Sequence, residues 1–339
     1  MAGASRGRVL SVARVVVALV VLAAVVWAVA RNWSEVSVHL GKISWPVFAV
    51  SSLAAAVGTW LTMVGWRVIL ADLGSPLHLA PSSGVYFVGQ LGKYLPGSLW
   101  SVLVQADIAS HLRVPRRRTA VTGLLTLGLS LLTGLLVGLP AATFLLRREG
   151  GGSSWWLLAA VPLVVVLGVP RILNALVALG LRTLRREPLE HELSARAVLT
   201  AVGLFVLVWL AFGVHTLLLA QAVAGPSPHP DLATAAVTGY ALSVALGMLT
   251  IVLPAGLGAR EGLLTLILSV AIPTPAAAAV AIVSRFIVTV IDVLAALAGW
   301  LYARSHHLVG EGRTDSDDAV TGVGASGQPV GRPTGSAEG

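Results

Sequence analysis

The chain has 339 residues, 56% of them hydrophobic and 11% charged, with a mean hydropathy of +0.86. Several apolar runs exceed the ~18–20 residues that span a bilayer, which excludes an ordinary soluble domain and marks one polytopic membrane domain. The net charge of +8 does not point to nucleic acid, because the basic residues fall in short loops between apolar runs, the positive-inside pattern. With no cysteine, disulfides, thiol nucleophiles and cysteine metal sites are excluded too.

Arg6, Arg8 and Arg14 precede the first apolar run, about Val15 to Ala30 in a helix expected over about 9–30, and no small-residue cleavage site follows it. It therefore reads as a membrane helix with a cytoplasmic N-terminus rather than a signal peptide. A second helix is expected over about 45–70, with Arg67 as an anchor near its end. The region 82–109 is apolar but broken by Gly89-Gln90-Leu91-Gly92-Lys93-Tyr94-Leu95-Pro96-Gly97. Glycine and proline weaken the helical ladder, and a lysine at bilayer depth costs about 2.5–3.5 kcal/mol on insertion scales. A broken, charged intramembrane segment is a functional-site hypothesis by default.

The loop 111–118 carries Arg113, Arg116, Arg117 and Arg118, the strongest cytoplasmic signal in the chain. With the first helix going out and the second returning, segment 82–109 must start and end inside, so charge and the broken pattern both give a re-entrant hairpin. Asp107 is read as balancing the arginine cluster. Spanning helices are then expected over about 119–146, 154–181 and 197–224, with a second basic loop at Arg182, Arg185, Arg186 and Arg196. In it, the acidic run Glu187-Pro188-Leu189-Glu190-His191-Glu192 reads as a solvated charged loop rather than a metal site. His215, in the last of these helices, reads as a hydrogen-bonded helix contact rather than a proton relay.

Segment 232–253 leads into a second break, Pro254-Ala255-Gly256-Leu257-Gly258-Ala259-Arg260-Glu261-Gly262, followed by a short apolar run over about 263–272 and a last helix over about 276–303. Arg260 and Glu261 read equally well as an interfacial pair capping the next helix and as headgroup ligands. Arg285, Thr289 and Asp292 share one face of the last helix, and a polar stripe on a membrane helix faces the bundle interior or a wet cavity. Paired breaks in the two halves of a chain point to a transporter binding site, and leave open an inverted repeat. A second break that is re-entrant from outside is expected to leave the C-terminus outside; one that spans leaves it inside, which the nearby Arg304 favours. The fold expected is all-α: a membrane helix bundle over 1–307 with one or two broken re-entrant hairpins, then a disordered polar tail over 308–339.

Gly92-Lys93-Tyr94-Leu95-Pro96-Gly97-Ser98-Leu99-Trp100 resembles a signature of the lysylphosphatidylglycerol synthase transmembrane-region family, also called flippase-like. Pro254 to Gly262 resembles that family's later signature, and Arg285 an arginine of its last helices. The family includes the membrane flippase half of the multiple peptide resistance factor. The resemblance implies a lipid translocator, or an accessory to lipid-linked glycan assembly. No aminoacyl-transferase domain follows, so the chain is not expected to make lysyl-lipid.

The function expected is translocation of an anionic phospholipid or polyprenyl-linked glycolipid, without enzyme activity, cofactor or metal. The substrate-binding candidates are Lys93, Tyr94, Pro96, Gly97, Arg260, Glu261, Arg285 and Asp292. No Walker A sequence is present, so movement is downhill or coupled to protons or potential. The alternatives are an accessory membrane subunit, with a lipid-modifying enzyme as its partner, and a membrane glycosyltransferase. Lys42 and Lys93 are the only lysines, and this arginine bias with the Ala/Val/Leu/Gly excess points to a GC-rich bacterial genome, so the location expected for a multi-pass chain is the bacterial plasma membrane.

Overall fold

A computed structural model of the chain describes residues 41–94, 99–148, 160–225, 229–249 and 258–305, with Ser34 and Val38. The first apolar run, Pro96, Gly97, the core of the second break and the polar tail lie outside the described residues. Within them the helices are α1 (Trp45–Asp72), α2 (Leu79–Gln90), a short 3-10 turn (Leu91–Tyr94), α3 (Trp100–His111), α4 (Arg116–Arg148), α5 (Ala160–Leu167), α6 (Pro170–Thr183), α7 (Ala195–Ala224), α8 (Leu232–Leu249), α9 (Ala259–Leu268) and α10 (Thr274–Ser305). Among the described residues there is no strand.

Five of these helices, α1, α4, α7, α8 and α10, are long and apolar enough to cross a membrane. Their outward faces are apolar as well: Leu53, Leu199, Val293 and Leu294 are exposed while Met63, Trp66, Phe205 and Leu219 are fully buried. In water such outward leucines would favour aggregation; a helix apolar on all sides suits a lipid solvent.

The segment around Lys93 forms the expected hairpin. α2 and α3 have 12 residues each, about 18 Å of helix against a hydrocarbon core of about 30 Å. They run antiparallel, Gly89 lying against Gln105 and Gly92 against Ser101. The hairpin's two ends meet again at its base, where Arg118 donates to the Gly74 carbonyl (2.8 Å) and Ser75 Oγ (2.6 Å). Arg67 donates to the Leu77 carbonyl in the same region (2.7 Å), and Arg116 binds Asp107 (2.8 Å), as the charge balance predicts.

The helix expected over 154–181 is instead divided, in its described part, between α5 and α6. Pro170 is the cause. It lacks an N–H and disfavours helical geometry in the residue before it, and Val169 is extended, with φ −66° and ψ 129°.

A second hairpin is built from α8 and α9, antiparallel, with Gly247 beside Arg260 and Gly239 beside Ile267. Its arms are unequal, 18 and 10 residues. The halves α1–α4 and α7–α10 pack in the same way. α2 packs on α10 as α8 packs on α4; α2 on α3 as α8 on α9; α3 on α4 as α9 on α10; and α1 pairs with its counterpart α7. The α1–α7 pair is antiparallel, Gly58 facing Phe212 and Gly65 facing Phe205. An exchange of halves that preserves contacts and reverses direction is an inverted repeat. The expectation that such a repeat leaves the C-terminus outside is corrected. Gly299 lies against Gly84 near the start of α2, so α10 ends at the basic end of the bundle. The outward hairpin adds no net crossing, and α10 then makes the return.

The ends of the halves are tied by polar contacts. Asp72, at the end of α1, accepts from Ser194 N (2.7 Å) and Ser194 Oγ (2.8 Å), and Ser194 caps α7 by accepting from Ala197 N. Arg117 donates to the Glu187 carbonyl (3.0 Å) and Arg118 to Glu190 (3.1 Å). These contacts occupy the acidic run 187–192 with arginine partners, in keeping with a charged loop.

Candidate functional site

The two hairpins converge on α10. Lys93 and Tyr94 sit on the 3-10 turn at the end of the first arm, and Arg260 and Glu261 in the first turn of α9. Arg285 and Asp292 lie two helical turns apart on α10, on one face as their spacing requires. Asp292 joins hairpin to helix: Lys93 Nζ is 2.6 Å from its Oδ2, and the Tyr94 hydroxyl donates to the same oxygen at 2.7 Å. The carboxylate side chain is 4% exposed, whereas that of Lys93 is 33% exposed. The ammonium is therefore held by a buried anion yet remains open to a further partner.

Arg260 and Arg285 are both buried. Arg260 donates to the Tyr240 hydroxyl (2.6 Å), and its guanidinium lies 4.8 Å from that ring's centre. Arg285 lies 5.8 Å from the Tyr94 ring and 3.6 Å from Glu261 Oε1. Aromatic faces stabilise cations that have been taken out of water. Glu261 also accepts from the Gly258 N–H at 2.7 Å, reaching back to the start of its own helix. Gly258 takes a φ of +84°, open to glycine without strain.

Lys93, Arg260, Arg285 and Asp292 line one cavity of about 350 Å³. Neither Tyr94 nor Glu261 lines it. Tyr94 orients Asp292, and Glu261 caps α9 and pairs with Arg285. Among the described residues the lining carries Lys93, Arg260, Arg285 and Asp292, and with Glu261 behind Arg285 three cations meet two carboxylates, a net positive charge. An uncompensated cation in a low-dielectric interior is costly, and an entering anion relieves that cost.

Other lining residues do not stand out in the sequence. Gln90, Gln105, Trp66, Thr59, Thr62, Thr126 and Ser130 also face the cavity. A signal was present for some of them. Thr119, Thr122, Thr126, Ser130 and Thr133 recur at helical spacing on α4 and are all buried, a neutral counterpart of the stripe on α10. Tyr240, the partner of Arg260, has no such signal, since a lone tyrosine in an apolar helix reads as core.

His215 lies outside the cavity lining and is fully buried. Its ring nitrogens bridge Ser51 Oγ (2.8 Å) and Ser284 Oγ (3.0 Å). It thereby fixes α10 to the α1–α7 pair at the residue before Arg285, a structural contact as the sequence suggested.

No curated protein matches the chain. A family model does, that of the lysylphosphatidylglycerol synthase TM region, and its match runs over residues 12–296. A multi-pass helical bundle with an internal basic cavity fits that match, and the chain belongs to the lysylphosphatidylglycerol synthase transmembrane-region family.

Proposed function

We propose that the protein is a lipid translocator that takes a lipid with an anionic headgroup into this cavity, without chemical change to it. The observation that carries the reading is the convergence of Lys93, Arg260 and Arg285, from both hairpins and the last helix, on one cavity inside a membrane bundle. A phosphate oxygen can approach the open side of Lys93 while Asp292 keeps the ammonium in place. The acyl or prenyl chains would stay in lipid, so only the headgroup needs a polar path. Two hairpins that open to opposite ends would give the site a route from either side, and rocking of one repeat against the other would alternate them.

The test is headgroup translocation in proteoliposomes of the purified protein. Wild type is expected to move short-chain labelled phosphatidylglycerol or a polyprenyl-phosphate-sugar, and Lys93→Ala to lose that movement while still inserting in the membrane. Equal translocation by both proteins would remove the site from the account. An accessory subunit would move neither lipid without its partner enzyme.

A further inference from the structure

The inverted repeat is symmetric in packing but not in chemistry. On one side, α9 and α10 supply charge to the cavity: Arg260, Arg285 and Asp292. Their counterparts α3 and α4 supply no charge: their polar groups there, among them Gln105, Thr126 and Ser130, are uncharged and stand beside apolar residues such as Val102 and Leu127. α1 adds Thr59, Thr62 and Trp66 to this neutral wall.

The polar groups set in this otherwise apolar wall are largely acceptors. Thr59, Thr62 and Thr126 each donate their hydroxyl proton to a carbonyl one turn back, at 3.1, 2.8 and 2.8 Å. Their oxygens keep lone pairs for a ligand. Two further polar atoms have no hydrogen-bond partner among the described residues: Gln105 Oε1, an acceptor, and Trp66 Nε1, a donor. Both residues are more than nine-tenths buried and line the cavity. Native proteins rarely leave such groups unmet, and a ligand that meets them gains the full difference.

From this we infer that the cavity recognises a phosphate bearing an uncharged hydroxylated group, a polyol or a sugar, and discriminates against a headgroup carrying an ammonium. Hydroxyls both donate to the acceptor wall and accept from Trp66. An ammonium would also find acceptors there, but it would enter a lining that already holds three cations. Among the described residues Asp292 is the carboxylate of that lining and is engaged by Lys93 and Tyr94, while Glu261 behind the lining is engaged by the Gly258 N–H and Arg285. Like charge in a low-dielectric site is the repulsive element that makes a binding site selective. The inference rests on the reading of the cavity as a lipid-phosphate site and names the class of headgroup.

Binding to the purified full-length protein in detergent tests it, separately from transport. The probes are dioctanoyl phosphatidic acid, phosphatidylglycerol and lysyl-phosphatidylglycerol, with a short polyprenyl-phosphate-hexose as a second polyol source. Phosphatidylglycerol or the hexose lipid should bind at least about tenfold more tightly than the other two, the gain of one or two well-made hydrogen bonds. Whichever of the two binds more tightly identifies the polyol. Trp66→Phe and Gln105→Met keep shape and remove one polar atom each; both should shrink that ratio by about fivefold. Thr126→Val, at a smaller side chain, serves if either variant fails to fold. Equal binding of all four lipids, tighter binding of lysyl-phosphatidylglycerol, or an unchanged ratio in folded variants would overturn the inference. The proteoliposome assay separates the two claims. Selective binding without translocation would overturn the translocator and leave the subsite, whereas translocation with no preference among headgroups would do the reverse.

Discussion

Asp292→Asn isolates the group that holds the first hairpin to α10. The substitution keeps the side chain's shape and removes the charge that Lys93 and Tyr94 share. A hydrogen bond to a charged acceptor contributes about 1.5–3 kcal/mol, and the asparagine oxygen retains part of what Tyr94 gave. Lys93 loses its ion pair but is a third exposed and can turn to water in the cavity, so this part costs about 1–2 kcal/mol rather than the 3–5 of a fully buried pair. The sum is about 2–4 kcal/mol. Lys93→Met should cost more, about 3–5 kcal/mol, because it leaves a buried carboxylate with Tyr94 as its remaining neighbour of the two. The double variant buries no charge at this point and should be more stable than Lys93→Met alone. Reversible unfolding in detergent or mixed micelles would give the three free energies, and the double-mutant cycle a coupling of at least about 2 kcal/mol. Additive single effects, each below about 0.5 kcal/mol, would refute the reasoning, since a surface pair behaves that way.

Gly128 lines the cavity and has open space where a side chain would go. Gly128→Leu should raise helix stability by up to about 1 kcal/mol and block headgroup binding; unfolding and binding measured on the same preparation check both. Gly138 is the opposite case, since a Cβ there would lie 2.8 Å from Leu242 Cα and 2.9 Å from its nitrogen. Gly138→Ala should therefore push α4 from α8 at a cost of about 1–3 kcal/mol, visible as a lowered unfolding midpoint. His215→Leu strands the Ser51 and Ser284 hydroxyls and should cost about 2–4 kcal/mol in the same assay, and a neutral result would show that the bridge contributes nothing.

Much of the arrangement was legible because membrane physics makes exceptions conspicuous. A lysine among glycines at 89–97 and an arginine, threonine and aspartate on one helical face cannot be ordinary lipid-facing sequence. The structure brings the lysine, the arginine and the aspartate to one cavity, with Arg260. Other features were hidden for physical reasons. Whether Glu261 binds a ligand or caps its helix depends on a side-chain rotamer, which spacing does not determine. The division at Val169-Pro170 interrupts an apolar run whose composition still suits a span, so hydropathy passed over it. Neutral hydroxyls such as Thr126 are common in helices, where they bond to their own backbone. Only their convergence with Gln105 and Trp66 on one void gives them meaning, and convergence is a tertiary fact. The repeat was suggested by two short motifs but is established by packing, in which each half presents the same partners to the other.

The central claim is that the cations of this cavity carry a lipid phosphate across the membrane. Its most direct test is the rate at which purified protein moves labelled short-chain phosphatidylglycerol and polyprenyl-phosphate-sugar between leaflets of proteoliposomes, with wild type, Arg285→Gln and Gly128→Leu in parallel. The account predicts translocation of at least one of these lipids by wild type, reduced to the protein-free rate by either substitution. Translocation that persists unchanged in both variants would contradict it.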